Sequence, residues 1–201
     1  MNPTVGQGAA ADVYPKSLRR ITLIALSLAL ISLTPQSPGQ PGGVANPKGT
    51  QSGSAYTLIP VSARQAAPDL SITDIAGNKI TLSQYRGKVV LLDFWAVDCG
   101  GCVIEIPWYV QFDKKYRDQG LQLIGLDMYD EAPSYIKPFM QKSQMNYPVA
   151  VGNDDIRKRF QAEELPKTIL IDRKGRVAVS HVGIVDRDAF ARDIENLIRE
   201  P

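Results

Sequence analysis

Cys99 and Cys102 are the only cysteines in the chain, and Gly100-Gly101 is all that separates them. They follow Val89-Val90-Leu91-Leu92-Asp93-Phe94-Trp95-Ala96, a run that reads as a buried strand. They precede Val103-Ile104-Glu105-Ile106-Pro107-Trp108, which reads as the first turns of a helix. A strand that delivers a C-x-x-C to a helix N-terminus is suited to reversible dithiol/disulfide chemistry. Cys99 is expected at the helix start with its sulfur exposed, where unpaired backbone N–H groups and the positive dipole end favour a thiolate. That thiolate would attack a partner disulfide and form a mixed disulfide. Cys102, three residues on and more buried, would share its helix face and attack Cys99 to release the reduced partner. A purely structural bridge has less to offer, because closing so small a ring removes little chain entropy. Zinc needs about four ligands, and the chain supplies two cysteines and one histidine, His181, so no metal is expected. The cysteine pair itself carries the electrons, and no cofactor is expected either.

Two acids stand close to this pair. Asp93 interrupts an apolar run, where a charge is costly without a task or a partner; burial would raise its pKa towards neutrality and suit it to moving a proton. The alternative is an aspartate at a strand end that meets water. Glu105 lies three residues after Cys102; it either tunes the pair or is a solvated charge on the helix face. Asp98 puts a negative charge beside Cys99 and opposes its thiolate, whereas the N–H of Gly101 acts in the opposite direction. His181 reads as a half-exposed strand residue.

The elements that must position these groups follow from periodicity and turn signals. Leu70–Thr73 and Lys79–Leu82 flank the turn-rich Asp74-Ile75-Ala76-Gly77-Asn78 and predict a hairpin. Lys88–Trp95 and Leu121–Met128 predict strands covered on both faces. Cys102–Tyr116 predicts an amphipathic helix, Ala132–Lys142 a helix interrupted near Pro138, Tyr147–Val151 a short extended piece and Asp154–Gln161 a short helix. Lys167–Asp172 and Arg176–His181 predict a hairpin around Arg173-Lys174-Gly175. Asp188–Arg199 predicts a closing helix with Phe190, Ile194, Leu197 and Ile198 on one face. Strands alternating with helices and ending in a hairpin imply an α/β fold, three layers around a mixed central sheet.

With 201 residues, 44% of them apolar, the chain has room for one ordinary domain plus extra segments. A net charge of +2 points to no nucleic acid. Lys16, Arg19 and Arg20 precede the apolar run Ile21–Leu33, the arrangement of an export signal. As a helix that run would span roughly 20 Å, short of a bilayer core of about 30 Å. A cleaved signal and a short membrane anchor both stay open, and both place the cysteines outside the cytoplasm, in an oxidising compartment. Residues 34–66 form a Pro/Gly/Ser-rich linker and lead-in, and the folded domain is expected over 67–201.

Residues 67–199 resemble the thioredoxin superfamily, most closely its exported TlpA/ResA-like thiol-disulfide oxidoreductases. The resemblance rests on Ala67-Pro68-Asp69-Leu70, on the strand Gly87–Ala96 with the C-x-x-C at its expected offset, and on Leu165-Pro166-Lys167-Thr168-Ile169-Leu170-Ile171-Asp172. Two positions depart from the pattern: Asp98 stands where Trp is common, and Gly101 where Pro is frequent. A peroxiredoxin would place its cysteine in a Pro-x-x-x-Thr/Ser-x-x-Cys setting, which this chain lacks. The resemblance implies a thioredoxin-like fold and an enzyme that exchanges thiols and disulfides on protein substrates, fed by a membrane or periplasmic electron donor. It leans towards reduction, apocytochrome thiols among the substrates, with an oxidant or a non-catalytic binding module as the alternatives. It also implies that Asp93 handles the Cys102 proton, that Pro166 follows a cis bond and faces the disulfide, and that Leu165 offers its backbone to an extended substrate. Trp95 would line the same groove as Pro166.

Overall fold

Seven consecutive buried residues, β3 (Val89–Trp95), form the strand on which the rest is assembled. The protein is seen in a computed structural model that describes residues 56–201, so the basic flank, the apolar run 21–33 and most of the linker lie outside the described residues. Among those described, no helix is long and apolar enough to cross a membrane.

β1 (Ser71–Thr73) and β2 (Lys79–Thr81) make the expected hairpin, turned through Asp74, whose carboxylate accepts the Ala76 and Asn78 N–H groups. After β3 come α1 (Gly100–Tyr116), β4 (Leu121–Asp127), α2 (Pro133–Lys142), β5 (Val149–Val151), α3 (Asp154–Phe160), β6 (Lys167–Ile171), β7 (Val177–Val182) and α4 (Arg187–Arg199). The main sheet has the order β5-β4-β3-β6-β7. β4 runs parallel to β3 and β5, while β6 is antiparallel to β3 and β7. This is the mixed sheet expected from the alternation of helices and strands followed by a terminal hairpin. β3 lies at its centre, so both of its faces need apolar cover.

Strand alternation divides β3 between two cores. Val89, Leu91 and Trp95 pack with Ile106, Tyr109, Phe112 and Tyr116 of α1 and Phe190, Ile194 and Leu197 of α4. Val90, Leu92 and Phe94 pack on the other side with Ile80, Ile156 and Phe160. Asp93 has odd parity and therefore faces α1. α1 presents buried residues at 102, 105, 106, 109, 110, 112, 113 and 116, a helical stripe that includes two acids, Glu105 and Asp113. α2 is continuous through Pro138, whose missing N–H leaves the Ser134 carbonyl without its helical hydrogen bond.

Residues 56–66, read from sequence as part of the linker and lead-in, are bonded to β7. Ile59 N–H donates to the Ala178 carbonyl at 2.8 Å, and Val177 N–H to the Gln65 carbonyl at 2.8 Å. Arg64, buried, bridges Asp172 at 3.2 Å and Glu200 at 2.5 Å. This cover reaches His181: the Tyr56 ring lies 5.5 Å from the imidazole. His181 is therefore buried rather than half-exposed, and burial lowers its pKa.

Candidate active site

Cys99 is the N-cap of α1 and Cys102 lies in its first turn. The two are joined as a disulfide with Cα atoms 5.3 Å apart. Cys99 Sγ accepts the Cys102 N–H at 3.2 Å, so the sulfur occupies the place that a serine or aspartate oxygen takes in an ordinary cap. Cys99 is half-buried, whereas Cys102 is 1% exposed. The pair is thus asymmetric. One sulfur stands at the positive end of a seventeen-residue helix within reach of solvent, and the other is enclosed by the core.

Two buried acids occupy the same side of the sheet as Cys102. Asp93 is 1% and Glu105 0% exposed, which excludes both solvated alternatives. The cause is positional: Asp93 takes the α1-facing parity of a strand buried on both sides, and Glu105 sits on the buried stripe of α1. Glu105 Oε1 accepts the Val185 N–H at 2.8 Å, pinning the loop ahead of α4 to α1. Burial pushes Glu105 up to about 7, partly offset by that N–H and by the Tyr109 hydroxyl. Burial, with Glu105 adding like-charge repulsion, holds Asp93 well above the usual carboxylate range. Buried acids that resist ionisation are the kind of group that can hold and release a proton near neutral pH.

The β6 approach completes the site. Leu165–Pro166 is a cis peptide bond. Pro166 is buried, and its carbonyl accepts the Gly183 N–H at 2.8 Å. A Cβ on Gly101 would stand 2.9 Å from Pro166 Cδ and 3.4 Å from Ile184 Cγ1. The residue between the cysteines and the proline loop are therefore in direct contact, and a side chain at 101 would displace the proline. Gly100 has open space at the same point. Gly100→Ala is accordingly expected to raise stability by about 0.5 kcal/mol through helix propensity, whereas Gly101→Ala lowers it by about 1 kcal/mol or more despite the same propensity gain. Urea unfolding of the two variants checks this; equal responses would mean that the contact with Pro166 carries no energy. Leu165 is half-buried, with its side chain against both cores, and among the described residues its N–H and carbonyl have no backbone partner.

Trp95 does not line a groove. It is 0% exposed and stacks on Phe139 of α2 with ring centroids 5.3 Å apart. Its parity places it in the α1-side core, closed off from any groove at Pro166. Sequence reasoning also passed over three residues. Tyr109 follows Glu105 by one helical turn, a spacing that could have shown it, and its hydroxyl meets Thr168 Oγ1 at 2.6 Å. Tyr147, just ahead of β5, is buried against Asp93 with no signal in the local sequence. Glu131 lies past β4; burial first, then the adjoining Asp127 carboxylate, push it up to about 7.

A family model described as AhpC/TSA matches residues 63–180, which contain both cysteines, both acids and Pro166. Among curated proteins, the thiol-disulfide oxidoreductase ResA of Bacillus thuringiensis subsp. konkukian (strain 97-27) is 36% identical over 112 residues, 55% of this chain and 64% of its own length. ResA of Bacillus cereus (strain ZK / E33L) is 34% identical over 118 residues, 58% of this chain and 68% of its own. The chain thus spans slightly under two thirds of the former and slightly over two thirds of the latter. Among solved structures, a thioredoxin-like superfamily protein superposes with a TM-score of 0.61 at 26% identity, covering 68% of this chain and 97% of that one. A thiol:disulfide interchange protein from Chlorobium tepidum TLS has the same fold, with a TM-score of 0.62 at 24% identity over 67% and 97% of the two chains. With more than half of its length matched, and a cysteine pair, acid pair and proline loop arranged around one helix start, the chain belongs to the AhpC/TSA family of thioredoxin-like proteins.

Proposed function

We propose that this chain is a thiol-disulfide oxidoreductase that reduces protein disulfides outside the cytoplasmic membrane. The observation that carries the reading is the asymmetry of the pair: a half-buried Cys99 at a helix N-terminus and a Cys102 enclosed in the core on the side of the sheet where two buried acids resist ionisation. In the dithiol form, the Cys99 thiolate attacks a partner disulfide and releases one partner thiolate. The mixed disulfide brings Cys99 Sγ within reach of Cys102. Cys102 gives its proton to the acid pair and attacks Cys99 Sγ; the Cys99–partner bond breaks and the second partner thiolate leaves. Two electrons have passed to the partner, and the Cys99–Cys102 disulfide remains. The Leu165 backbone is the group best placed to align an extended partner segment.

The extracytoplasmic setting is supported by Lys16, Arg19 and Arg20 ahead of the apolar run 21–33. The reducing direction is supported by the exposed Asp98 next to Cys99, since strong oxidants stabilise their thiolate and an adjacent negative charge does the reverse. Apocytochrome thiols are the substrate class to which the resemblance to ResA-like proteins leads, with an upstream membrane or periplasmic dithiol as electron donor. Redox equilibration of the Cys99–Cys102 pair against glutathione tests the direction. A potential near about −270 mV is expected, and one near about −120 mV would make the protein an oxidant instead. A reporter fused after Pro201 tests the location; it should work only if its activity requires export.

A further inference from the structure

Asp93 has two lateral neighbours on its face of the sheet, and neither supplies it with a free polar group. On β6 it pairs with Thr168, whose hydroxyl is taken by Tyr109 at 2.6 Å. On β4 it pairs with Gly125, which has no side chain. That gap is filled from outside the strand. A Cβ on Gly125 would stand 3.2 Å from Cε2 of Tyr147 and 3.1 Å from Nε1 of Trp95, so the Tyr147 ring lies over the glycine beside Asp93. The placement is held by the backbone, since the Gly125 N–H donates to the Pro148 carbonyl at 2.9 Å. Tyr147 is 3% exposed, and a phenol hydroxyl buried to that degree ordinarily has a partner. Among the described residues Tyr147 Oη has none that meets hydrogen-bond geometry, and neither has Asp93 Oδ2. The phenol is nevertheless close enough to draw the Asp93 carboxyl down against its burial.

We propose that Tyr147 is a positioning residue for Asp93: its phenol, reaching across the side-chain gap at Gly125, donates a hydrogen bond to the Asp93 carboxylate when that carboxyl is to receive the Cys102 proton. This rests on the oxidoreductase reading. In the resolving step the Cys102 thiol transfers its proton to the Asp93 carboxylate, and the Cys102 thiolate displaces the partner from Cys99. Ionised Asp93 is needed at the outset, yet its burial and the Glu105 carboxyl oppose the charge. From α1 it faces Glu105 and Tyr109, from β6 the neutral Thr168, and two strands away on β7 the buried His181. Asp113, also on α1, acts on Tyr147 as well. Among the described residues no cation acts on Asp93. Among the described residues the Tyr147 hydroxyl is the one group that favours the ionised form, as a donor to a charged acceptor does.

Tyr147→Phe removes the hydroxyl and keeps the ring that fills the space over Gly125, so the fold should be retained. The Asp93 carboxyl is followed directly, by carboxyl 13C NMR of the dithiol protein from pH 5 to 10, and turnover by insulin reduction over the same range. The Asp93 midpoint is expected to move up by about one pH unit in Tyr147→Phe, since a hydrogen bond to a charged group is worth about that much. The acidic limb of the rate profile should move with it. In an Asp93→Asn background, Tyr147→Phe should then change the profile no further. A midpoint that stays in place or moves down overturns the proposal, and so does a Tyr147→Phe effect that survives in Asp93→Asn. If the midpoint moves as expected but wild-type protein reduces no disulfide, the pairing of Tyr147 with Asp93 stands and the oxidoreductase reading falls.

Discussion

Cys102→Ser is expected to accumulate covalent adducts with its protein partners, all through Cys99, while Cys99→Ser accumulates none. Both variants should lose turnover by more than about 10³-fold, since each lacks one of the two sulfurs that must exchange in every cycle. The asymmetry of the trapping follows from burial. Cys102 is 1% exposed and packs in the same core as Ile106 and Tyr109, so a partner sulfur cannot approach it along the line of the disulfide. Cys99 is half-buried at the cap, with its sulfur receiving the Cys102 N–H. Non-reducing electrophoresis of the two variants, with mass spectrometry of the adducts, reads the result. Alkylation of the dithiol protein at limiting reagent is the second measurement; labelling of Cys102 ahead of Cys99 would reverse the assignment.

Glu105→Gln is expected to make the protein more stable than wild type at pH 8, by about 2–3 kcal/mol, and to leave stability unchanged at pH 4. The sign comes from linkage. Glu105 is an acid whose folded pKa is raised, from an ordinary 4.5 to about 7. Below pH 4.5 it is protonated in both folded and unfolded chains and contributes nothing. Between pH 4.5 and 7 the unfolded chain is ionised while the folded chain still holds the proton, so stability falls as pH rises, by about 1.4 kcal/mol per unit. Above pH 7 the loss levels off at about 3 kcal/mol. A glutamine carries no such term, and its carbonyl oxygen can still accept the Val185 N–H that Glu105 holds at 2.8 Å. Asp93, displaced in the same direction by burial and by Glu105 itself, contributes a further loss of the same sign in wild type. Part of that loss is relieved when the Glu105 charge is removed. Urea titrations at pH 4, 6 and 8 measure the difference. Parallel stability–pH curves for the two proteins would show that Glu105 ionises freely in the fold. A stabilised variant with slowed disulfide exchange would show that the cost of this buried acid is retained for chemistry.

The chain order of residues was enough to single out the cysteine pair that the structure joins as a disulfide. A C-x-x-C between an apolar strand and a helix start singles out Cys99 and Cys102 because each signal is local: strand periodicity and helix start act over a few residues. Pro166 came from the resemblance of its strand to the family, since nothing local ties it to the cysteines. The mixed sheet was legible for the same reason, since strand-helix alternation followed by a hairpin leaves few ways to connect the strands. Burial and lateral neighbours are set by residues distant in sequence, and these only the tertiary structure decided. Glu105 looks like any helix-face acid until α4 and the Val185 N–H close over it. Trp95 looks available to a substrate until α2 brings Phe139 onto its ring. His181 looks half-exposed until residues 56–59 return along β7. Gly101 reads as a flexible substitute for proline, whereas the fold brings Pro166 to within van der Waals distance of it. Tyr147 carries no local signal at all. It reaches Asp93 because β4 pairs with β3 in the register that sets Gly125 beside Asp93, and a one-residue slip would send every side chain of β3 to the other face.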